Sequence, residues 1–271
     1  MNALTFTLRR PPQQRVDLAL LSCQRIAGLS TAEINAIELQ CGKRRLRVDE
    51  LFELSGSNNR EIVFRNSCDK LDRIGHELDG GEITVEGDAG AYCGLGMKSG
   101  SIRVRGSAGI FAACEMHDGM LQIEGAAGDF LGGALPGNKR GMQGGMVIVK
   151  GSAGDRLGDQ MRRGMVLVEG NVGDYCGSRM IAGTIAVMGT TGYSPGYSMN
   201  RGTLLLWRTP KLIATFADCG THTSSSFLPL LFRSWRSLNS RFAEPKAAFS
   251  RIHRYQGDLS ALGKGEILVK S

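Results

Sequence analysis

Between Gly81 and Leu206 the hydrophobic positions come in pairs, with one variable residue inside each pair. The pairs are Ile83/Val85, Ile102/Val104, Leu121/Ile123, Val147/Val149, Val166/Val168, Ile185/Val187 and Leu204/Leu206. A glycine stands two residues before each pair: Gly81, Gly100, Gly119, Gly145, Gly164, Gly183 and Gly202, at intervals of 19, 19, 26, 19, 19 and 19. A second glycine closes each of the first six pairs (Gly87, Gly106, Gly125, Gly151, Gly170, Gly189), and a third follows three residues later (Gly90, Gly109, Gly128, Gly154, Gly173, Gly192). Three residues before every opening glycine after the first is a methionine: Met97, Met116, Met142, Met161, Met180 and Met199. This is an internal repeat, and it sets the fold question.

Aliphatics at i and i+2 share one face of a short strand. Flanking glycines allow positive φ and sharp corners. A period of 19 residues therefore predicts short strands that stack repeat on repeat, with equivalent positions forming ladders. The fold class expected is all-β: a right-handed parallel β-helix of about seven to eight rungs over residues 61–207. It carries a small mixed N-terminal cap over 1–60 and a partly helical C-terminal extension over 208–271. The methionines form one internal ladder, since a thioether fills irregular gaps. Cys93, Ala112, Leu131, Leu157, Cys176 and Pro195 form a second apolar column. The single long interval places roughly seven extra residues near Gly133–Gly141, a loop that must bulge outward and be dispensable for folding.

Outside the repeat the periodicity changes. Thr5–Leu8 and Ile37–Leu39 read as short strands, and Ser30 or Thr31 as a helix cap ahead of Glu33 and Ile34. Arg44, Arg45 and Arg47 alternate with Leu46 and Val48, as in a charged edge strand. From Ile62 the frame holds weakly: Val63–Phe64 sits at the strand, Gly75 and Leu78 match Gly94 and Met97, and Cys68 and Leu71 replace corner glycines. After Leu206 the period stops. Leu228, Leu231, Phe232, Trp235 and Leu238 have helical spacing, with Arg233 and Arg236 on the opposite side, so an amphipathic helix over 228–238 is expected to close the open end or dock on a partner. A second short helix over Ala247–Tyr255 and a last strand at Ile267–Val269 complete the reading.

Glycine, at 38 of 271 residues, is about twice its usual share and belongs to the repeat. Net charge is +7 and unevenly spread: 12 basic against 11 acidic residues in 1–80, 10 against 11 in 81–200, and 11 against 4 in 201–271. The excess sits in the tail without the aromatic platforms of a nucleic-acid module, so no nucleic acid is expected. Seven cysteines contain no CxxC pair; Cys93 and Cys176 fall in the apolar column and read as buried free thiols. No apolar run reaches the ~20 residues of a membrane span, and Leu18–Leu21 is too short for a signal peptide. A reduced, soluble, cytoplasmic protein is expected.

Chemistry is sparse. The four histidines (His76, His117, His222, His253) lack metal-ligand spacing. Gly257-Asp-Leu-Ser-Ala-Leu-Gly263-Lys264-Gly265 resembles a phosphate loop, with five residues between the glycines where four are needed and Gly265 in place of Ser or Thr. His117 beside Asp118 could act as a base but has no recurring partner. Arg162/Arg163 and Lys139/Arg140 could grip an anion, although corner charges more often only solubilise. No catalytic or metal-binding residue is assigned, and cofactor-binding residues are unknown.

The unit Gly-x-x-Met-x-x-Gly-x-Ile-x-Val-x-Gly is whole in Gly94–Gly106 and varied from Gly75, Ala113, Lys139, Gly158, Gly177 and Gly196. It resembles the repeat of the C subunits of formylmethanofuran dehydrogenase and of the formyltransferase/hydrolase complex, and its glycine pattern is similar to the glutamate synthase C-terminal domain. Tyr255-Gln-Gly-Asp-Leu, Gly263-Lys-Gly-Glu-Ile-Leu-Val269 and Val48–Gly56 are similar to the two C-subunit families specifically. The resemblance implies a non-catalytic scaffold in one-carbon metabolism (formaldehyde oxidation), without a cofactor of its own. Its implied partners are a hydrolase, a formyltransferase and a dehydrogenase-like subunit. The implied complex converts formyl-tetrahydromethanopterin to formate through a methanofuran-type carrier, with metal in the hydrolase subunit. Arginine outnumbers lysine 24 to 9, which favours a bacterial complex over a tungsten- or molybdenum-containing formylmethanofuran dehydrogenase that reduces CO2. A stand-alone acyltransferase on a hexapeptide helix is the alternative of another class; it needs a six-residue period that is absent.

Overall fold

The seven aliphatic pairs lie on seven strands: Glu82–Gly87, Ser101–Val104, Met120–Ile123, Met146–Val149, Met165–Val168, Thr184–Val187 and Arg201–Leu206. The computed structural model describes residues 2–223, 227–244 and 249–271. Neighbouring strands pair in parallel and in the register of the repeat, so Ile83 faces Ile102, Leu121 faces Val147 and Val187 faces Leu206. The first member is the degenerate one: Asn58–Ser67 pairs with Glu82–Gly87, and its inward residues are Ile62 and Phe64.

The expected all-β right-handed parallel β-helix is corrected by this topology. The strands form one mixed, mostly parallel sheet of thirteen, with nine of twelve neighbour pairings parallel, beside a separate sheet of four. The described residues also hold three short helices and a 3-10 turn. The reason lies in how each period is spent. Most repeats give only four residues to a strand, and at their corners the chain repeatedly takes positive φ, as at Phe111, Ala113 and Glu115. Away from these strands the repeats are joined by isolated bridges such as Ala89↔Ala108 and Ala127↔Ala153 and by single backbone hydrogen bonds such as Tyr92 N–H to Ile110 O. Spacing reports a period; it does not report how many strands each period holds.

The methionine ladder lies fully inside, every member being 0% exposed. Each methyl occupies the space that a side chain on the next opening glycine would need. A Cβ on Gly119 would lie 2.6 Å from Met97 Cε, and one on Gly145 2.7 Å from Met116 Cε. The opening glycine is thus required for packing as well as for its positive φ. The second column, Cys93, Ala112, Leu131, Leu157 and Cys176, is also fully buried, and burial pushes the Cys93 and Cys176 thiols up to about 12.

The repeat does not stop at Leu206. Lys264–Lys270 adds an eighth strand in register, with Gly265 against Gly202, Ile267 against Leu204 and Val269 against Leu206. A Cβ on Gly265 would lie 2.6 Å from Met199 Cε, so Gly265 is an eighth opening glycine. The chain between is a long excursion that leaves the stack after Phe216, which is 9% exposed. Residues 251–255, expected as helix, are part of the strand Arg251–Gly257, which pairs antiparallel with Lys264–Lys270; residues 247 and 248 lie outside the described residues.

The excursion covers the outer face of the sheet. At the variable position inside each pair the side chain points away from the core. It is apolar from Ile148 onward (Leu167, Ala186, Leu205) and polar before it (Thr84, Arg103, Gln122). Leu228, Trp235, Phe242, Phe249 and Ile252 pack on that apolar half. The helix is Phe227–Ser234, shorter than expected, and Trp235 just beyond it is 0% exposed with its indole N–H aimed at Met165 Sδ. It therefore closes a face of the sheet and not its open end.

The other end is stopped by Ala3–Leu8, parallel to Asn58–Ser67 and antiparallel to Phe52–Ser55, with Phe6, Phe52 and Phe64 stacked together. The four-stranded sheet runs Arg44–Arg47, Glu38–Cys41, Val16–Asp17, Leu71–Asp72, with the arginine strand at its edge as predicted. Helix Thr31–Ala36 begins with a capping box: Ser30 accepts from the Glu33 N–H and the Glu33 carboxylate accepts from the Ser30 N–H.

The buried ladder gives a direct expectation. Met161→Asp places an unpaired charge in a dry column and costs several kcal/mol, whereas Met161→Leu keeps volume and costs less than about 1.5 kcal/mol. Thermal melts of the two variants check this, and equal tolerance would place the column outside the core.

Candidate functional site

The phosphate-loop-like segment is the turn between the last two strands, and its polar groups are already used. Asp258 is fully buried; its carboxylate accepts the Ser198 N–H at 2.9 Å, the Ser260 N–H at 2.9 Å and the Ser260 hydroxyl at 2.7 Å. The Leu259 and Lys264 N–H groups donate to Thr215 O and Asn200 O. A Cβ on Gly257 would lie 2.6 Å from the Phe216 ring, so that glycine serves packing. A phosphate would find no free cradle of amides here.

The histidines do not converge as a set. His117 is exposed, with no side-chain partner among the described residues. His76 is half-buried, and burial pushes its imidazole down. His222 and His253 lie on the antiparallel pair Ala217–Thr223 and Arg251–Gly257. There His253 Nε2 is 2.7 Å from Asp218 Oδ1 and His253 Nδ1 is 3.1 Å from Thr221 Oγ1. Sequence spacing misses this Asp–His–Thr chain because 218, 221 and 253 are joined only by hairpin register. It orients an imidazole, but the Asp218 side chain is 61% exposed and the cluster lines none of the clefts described below. Among the described residues no group of three or more His, Cys, Asp or Glu side chains is placed to hold a metal ion.

The inserted loop meets a second arrangement. At the corner, Arg73, Tyr92, Phe111, Phe130, Arg156 and Tyr175 occupy equivalent positions, all at positive φ. Tyr92, Phe111 and Phe130 stack at 5.3 and 4.8 Å, and the Arg156 guanidinium lies between Phe130 (6.0 Å) and Tyr175 (4.9 Å). The loop packs Leu135 against the cluster of Leu95, Phe111 and Cys114, while Glu115 Oε1 accepts from the Leu135 N–H and from Asn138 Nδ2. Between them lies a cleft of about 620 Å³ lined by Pro136, Lys139, Arg156 and Arg179. Arg179 is committed to Asp159, a carboxylate only 1% exposed, and this contact raises the Arg179 pKa. Arg140 points elsewhere, into a smaller hollow with Glu115 and Gln143. Arg162 and Arg163 belong to the next corner, so the two basic pairs do not form one site.

A cleft of about 900 Å³ runs between the tail and the outer sheet face, with Trp207 and Met188 in its wall and Arg208, Arg241 and Lys270 exposed around it. Glu169, almost fully buried, accepts the Ser240 hydroxyl at 2.7 Å and the Arg241 N–H at 2.8 Å, which fixes the turn Arg241–Ala243 against the sheet. The two larger clefts are lined by both charged and aromatic side chains.

No family model matches the chain. A chain of the formyltransferase/hydrolase complex of Methylorubrum extorquens, solved by X-ray crystallography with methylofuran, is 41% identical over 98% of this chain and 99% of that one, with a TM-score of 0.92. The C subunit of the same organism's complex is 42% identical over 86 residues, 32% of each protein. The chain belongs to this C-subunit family. The C subunit of a tungsten-containing formylmethanofuran dehydrogenase from Methanococcus maripaludis is 36% identical over 94 residues, 34% of this chain and 35% of the relative. These alignments span about a third of the length of the curated relatives. The family resemblance carried by the glycine–methionine unit is therefore upheld. No helix among the described residues is long and apolar enough to cross a membrane.

Two outcomes follow for this member of the C-subunit family. Burial pushes the Asp258 carboxyl up, but the hydrogen bonds it accepts from Ser260 and Ser198 outweigh that and hold it below the usual carboxylate range. The unfolded chain then binds the proton more readily, so the stabilisation is complete above the unfolded value near 3.8 and is lost as pH falls through the lower native one. Asp258→Asn, which turns an acceptor into a donor facing N–H groups, costs about 1–3 kcal/mol at neutral pH. It also flattens the acid limb of a melting-temperature profile between about pH 2 and 5. Excising residues 134–140 restores the 19-residue interval and leaves a folded chain. The melt falls by the loss of half-buried Leu135, on the order of 1–2 kcal/mol.

Proposed function

We propose that this chain is the non-catalytic assembly subunit of a formyltransferase/hydrolase complex. In this reading a formyltransferase, a hydrolase and a dehydrogenase-like subunit move the formyl group of formyl-tetrahydromethanopterin to a methanofuran-type carrier and release formate. Metal belongs to the hydrolase subunit, and this chain supplies surfaces that hold the others. The observation that carries the reading is the match over almost the whole of both chains to a member of such a complex. The free cysteines, several of them buried, suit a reducing compartment such as the cytoplasm.

The tail supports a docking role in a narrower way than its sequence implied. Trp235 and Phe242 are fully buried within the chain, so they are not available as anchors. What remains outside is Arg233, Arg236 and Arg241 with Leu230, which is 70% exposed. The tungsten formylmethanofuran dehydrogenase reading is weaker on identity, 36% over 94 residues against 42% over 86 for the C subunit of the bacterial complex. An acyltransferase built on a six-residue period has no support in a register that advances by 19.

Co-expression with the other subunits of such a complex should yield a stoichiometric assembly. The chain purified alone should show neither formyl transfer nor hydrolysis; activity of the pure chain would overturn the non-catalytic reading. Arg233→Ala with Arg236→Ala should weaken assembly by about 2- to 30-fold at low salt and far less at high salt, as rim charges do. Titrations at two ionic strengths check it.

A further inference from the structure

Nine large hydrophobic side chains are more than a third exposed among the described residues, and most are scattered. Single exposed leucines need no explanation. Four of the nine gather at the last repeat: Tyr193 at 61%, Tyr197 at 46%, Leu259 at 56% and Leu262 at 49%. Both leucines stand on the turn between the last two strands, the segment whose glycines resemble a phosphate loop.

That turn is tied down from beneath. Asp258 receives the N–H of Ser198, the neighbour of Tyr197, while the Asp258 N–H reaches Met199 O at 3.3 Å and the Leu259 N–H reaches Thr215 O at 2.9 Å. Within the turn the Ala261 and Gly263 N–H groups both donate to Asp258 O at 3.0 Å. Its polar atoms face inward and its leucines face out. A rigid turn loses little freedom when its apolar groups are buried by a partner.

The rim is cationic. Lys211 Nζ lies 5.0 Å from the Tyr193 ring centroid. Arg201 and Lys264 stand directly opposite each other in parallel register, both exposed, and neither has an acidic partner among the described residues. Like charges facing each other across a strand pair repel, and a carboxylate arriving from outside would relieve that. The nearby acids are already engaged: Asp258 is buried, and Asp174 Oδ1 accepts the Tyr193 N–H at 2.6 Å.

We infer that Leu259, Leu262, Tyr193 and Tyr197, rimmed by Arg201, Lys211 and Lys264, form a docking knob for a partner subunit that offers an apolar hollow edged with carboxylates. This rests on the reading of the chain as a member of the complex. The site is separate from the arginine-bearing tail helix and uses a different element. Tyrosine-rich apolar centres inside a charged rim are the composition of protein interfaces.

The test measures binding of the full chain to the co-purified partner subunits. Leu259→Glu with Leu262→Glu should raise the Kd at least about tenfold while the chain's own melting temperature holds, because both side chains are exposed. Leu20→Glu with Leu29→Glu, exposed residues of the N-terminal segment at 43% and 37%, should leave the Kd unchanged. Arg201→Ala with Lys264→Ala should weaken binding at low salt only. An unchanged Kd for the double glutamate variant overturns the proposal. Should that variant fail to fold, amide hydrogen exchange of the wild-type chain decides: slowed exchange over 257–264 on assembly supports the knob, and unchanged exchange overturns it. Loss of a homodimer instead of partner binding would assign the patch to a second copy and overturn the proposal. Failure of the wild-type chain to bind any such subunit would sink the assembly reading itself, and this proposal with it.

Discussion

One contact sets the rest of this molecule: the methyl of each ladder methionine in the space over the next opening glycine. With Met97 Cε placed 2.6 Å from where a Gly119 Cβ would stand, the glycine cannot take a side chain unless the methionine gives way. The contact recurs at each later step as far as Met199 and Gly265, and so it measures the repeat independently of the hydrogen-bonded strands. A strand that slipped by one residue would turn its aliphatic pair outward and would drive a side chain into the methionine. Charge adds to this register on the outer face, where Glu86 lies between Arg65 and Arg105 and Glu124 pairs with Lys150. Exposed pairs of this kind stabilise little; their alternating sign chiefly disfavours misalignment.

A sheet has two faces, and this one solves them differently. The repeats fill their own inner face, strand after strand. The outer face is polar over the early repeats and apolar from Ile148 on, and the segment that leaves the stack and returns as its eighth strand packs on the apolar part and reaches as far as Gln122, whose amide lies 3.5 Å from Asn239 O. The tail is therefore an excursion inside the last repeat. Its buried side chains stabilise the sheet, which leaves its arginines and the turn before the last strand to face outward.

Much of this is legible from local spacing. The strands, the interior methionines, the position of the insertion and the Ser30 cap each depend on residues close in sequence, where side-chain geometry leaves few choices. The differences share another cause. A period of 19 suggests a β-helix because spacing cannot show that each repeat spends so few residues on strand. The eighth strand reads only as a last isolated one, since 63 residues separate Gly202 from Gly265 and erase the interval. Residues 251–255 have helical spacing, and pairing with the last strand overrides it. The tail's cover is written in the variable positions: Ile148, Leu167, Ala186 and Leu205 turn apolar where earlier repeats carry Thr84, Arg103 and Gln122. That signal stands in the sequence, masked by the stronger pairs on either side.

The corner column shows why the insertion sits where it does. Tyr92, Phe111, Phe130, Arg156 and Tyr175 hold φ between 57° and 63°, a conformation that glycine adopts freely and that costs other residues roughly 1–2 kcal/mol each. Keeping large side chains there requires a return. Stacked rings contribute about 0.5–1.5 kcal/mol per pair beyond burial, and a cation over a ring about as much when partly desolvated. Each corner N–H also donates to the next repeat, Phe111 to Asp129 O and Phe130 to Asp155 O, so the conformation is fixed from both sides. The long interval falls between Phe130 and Arg156, where the column changes from ring–ring to cation–ring contact, the Arg156 guanidinium lying 6.0 Å from the Phe130 ring centroid. Leu135 of the inserted loop packs against the cluster of Leu95, Phe111 and Cys114 beside that step. The insertion thus falls where the column passes from ring to cation, and its Leu135 adds apolar contact to the cluster that holds Phe111.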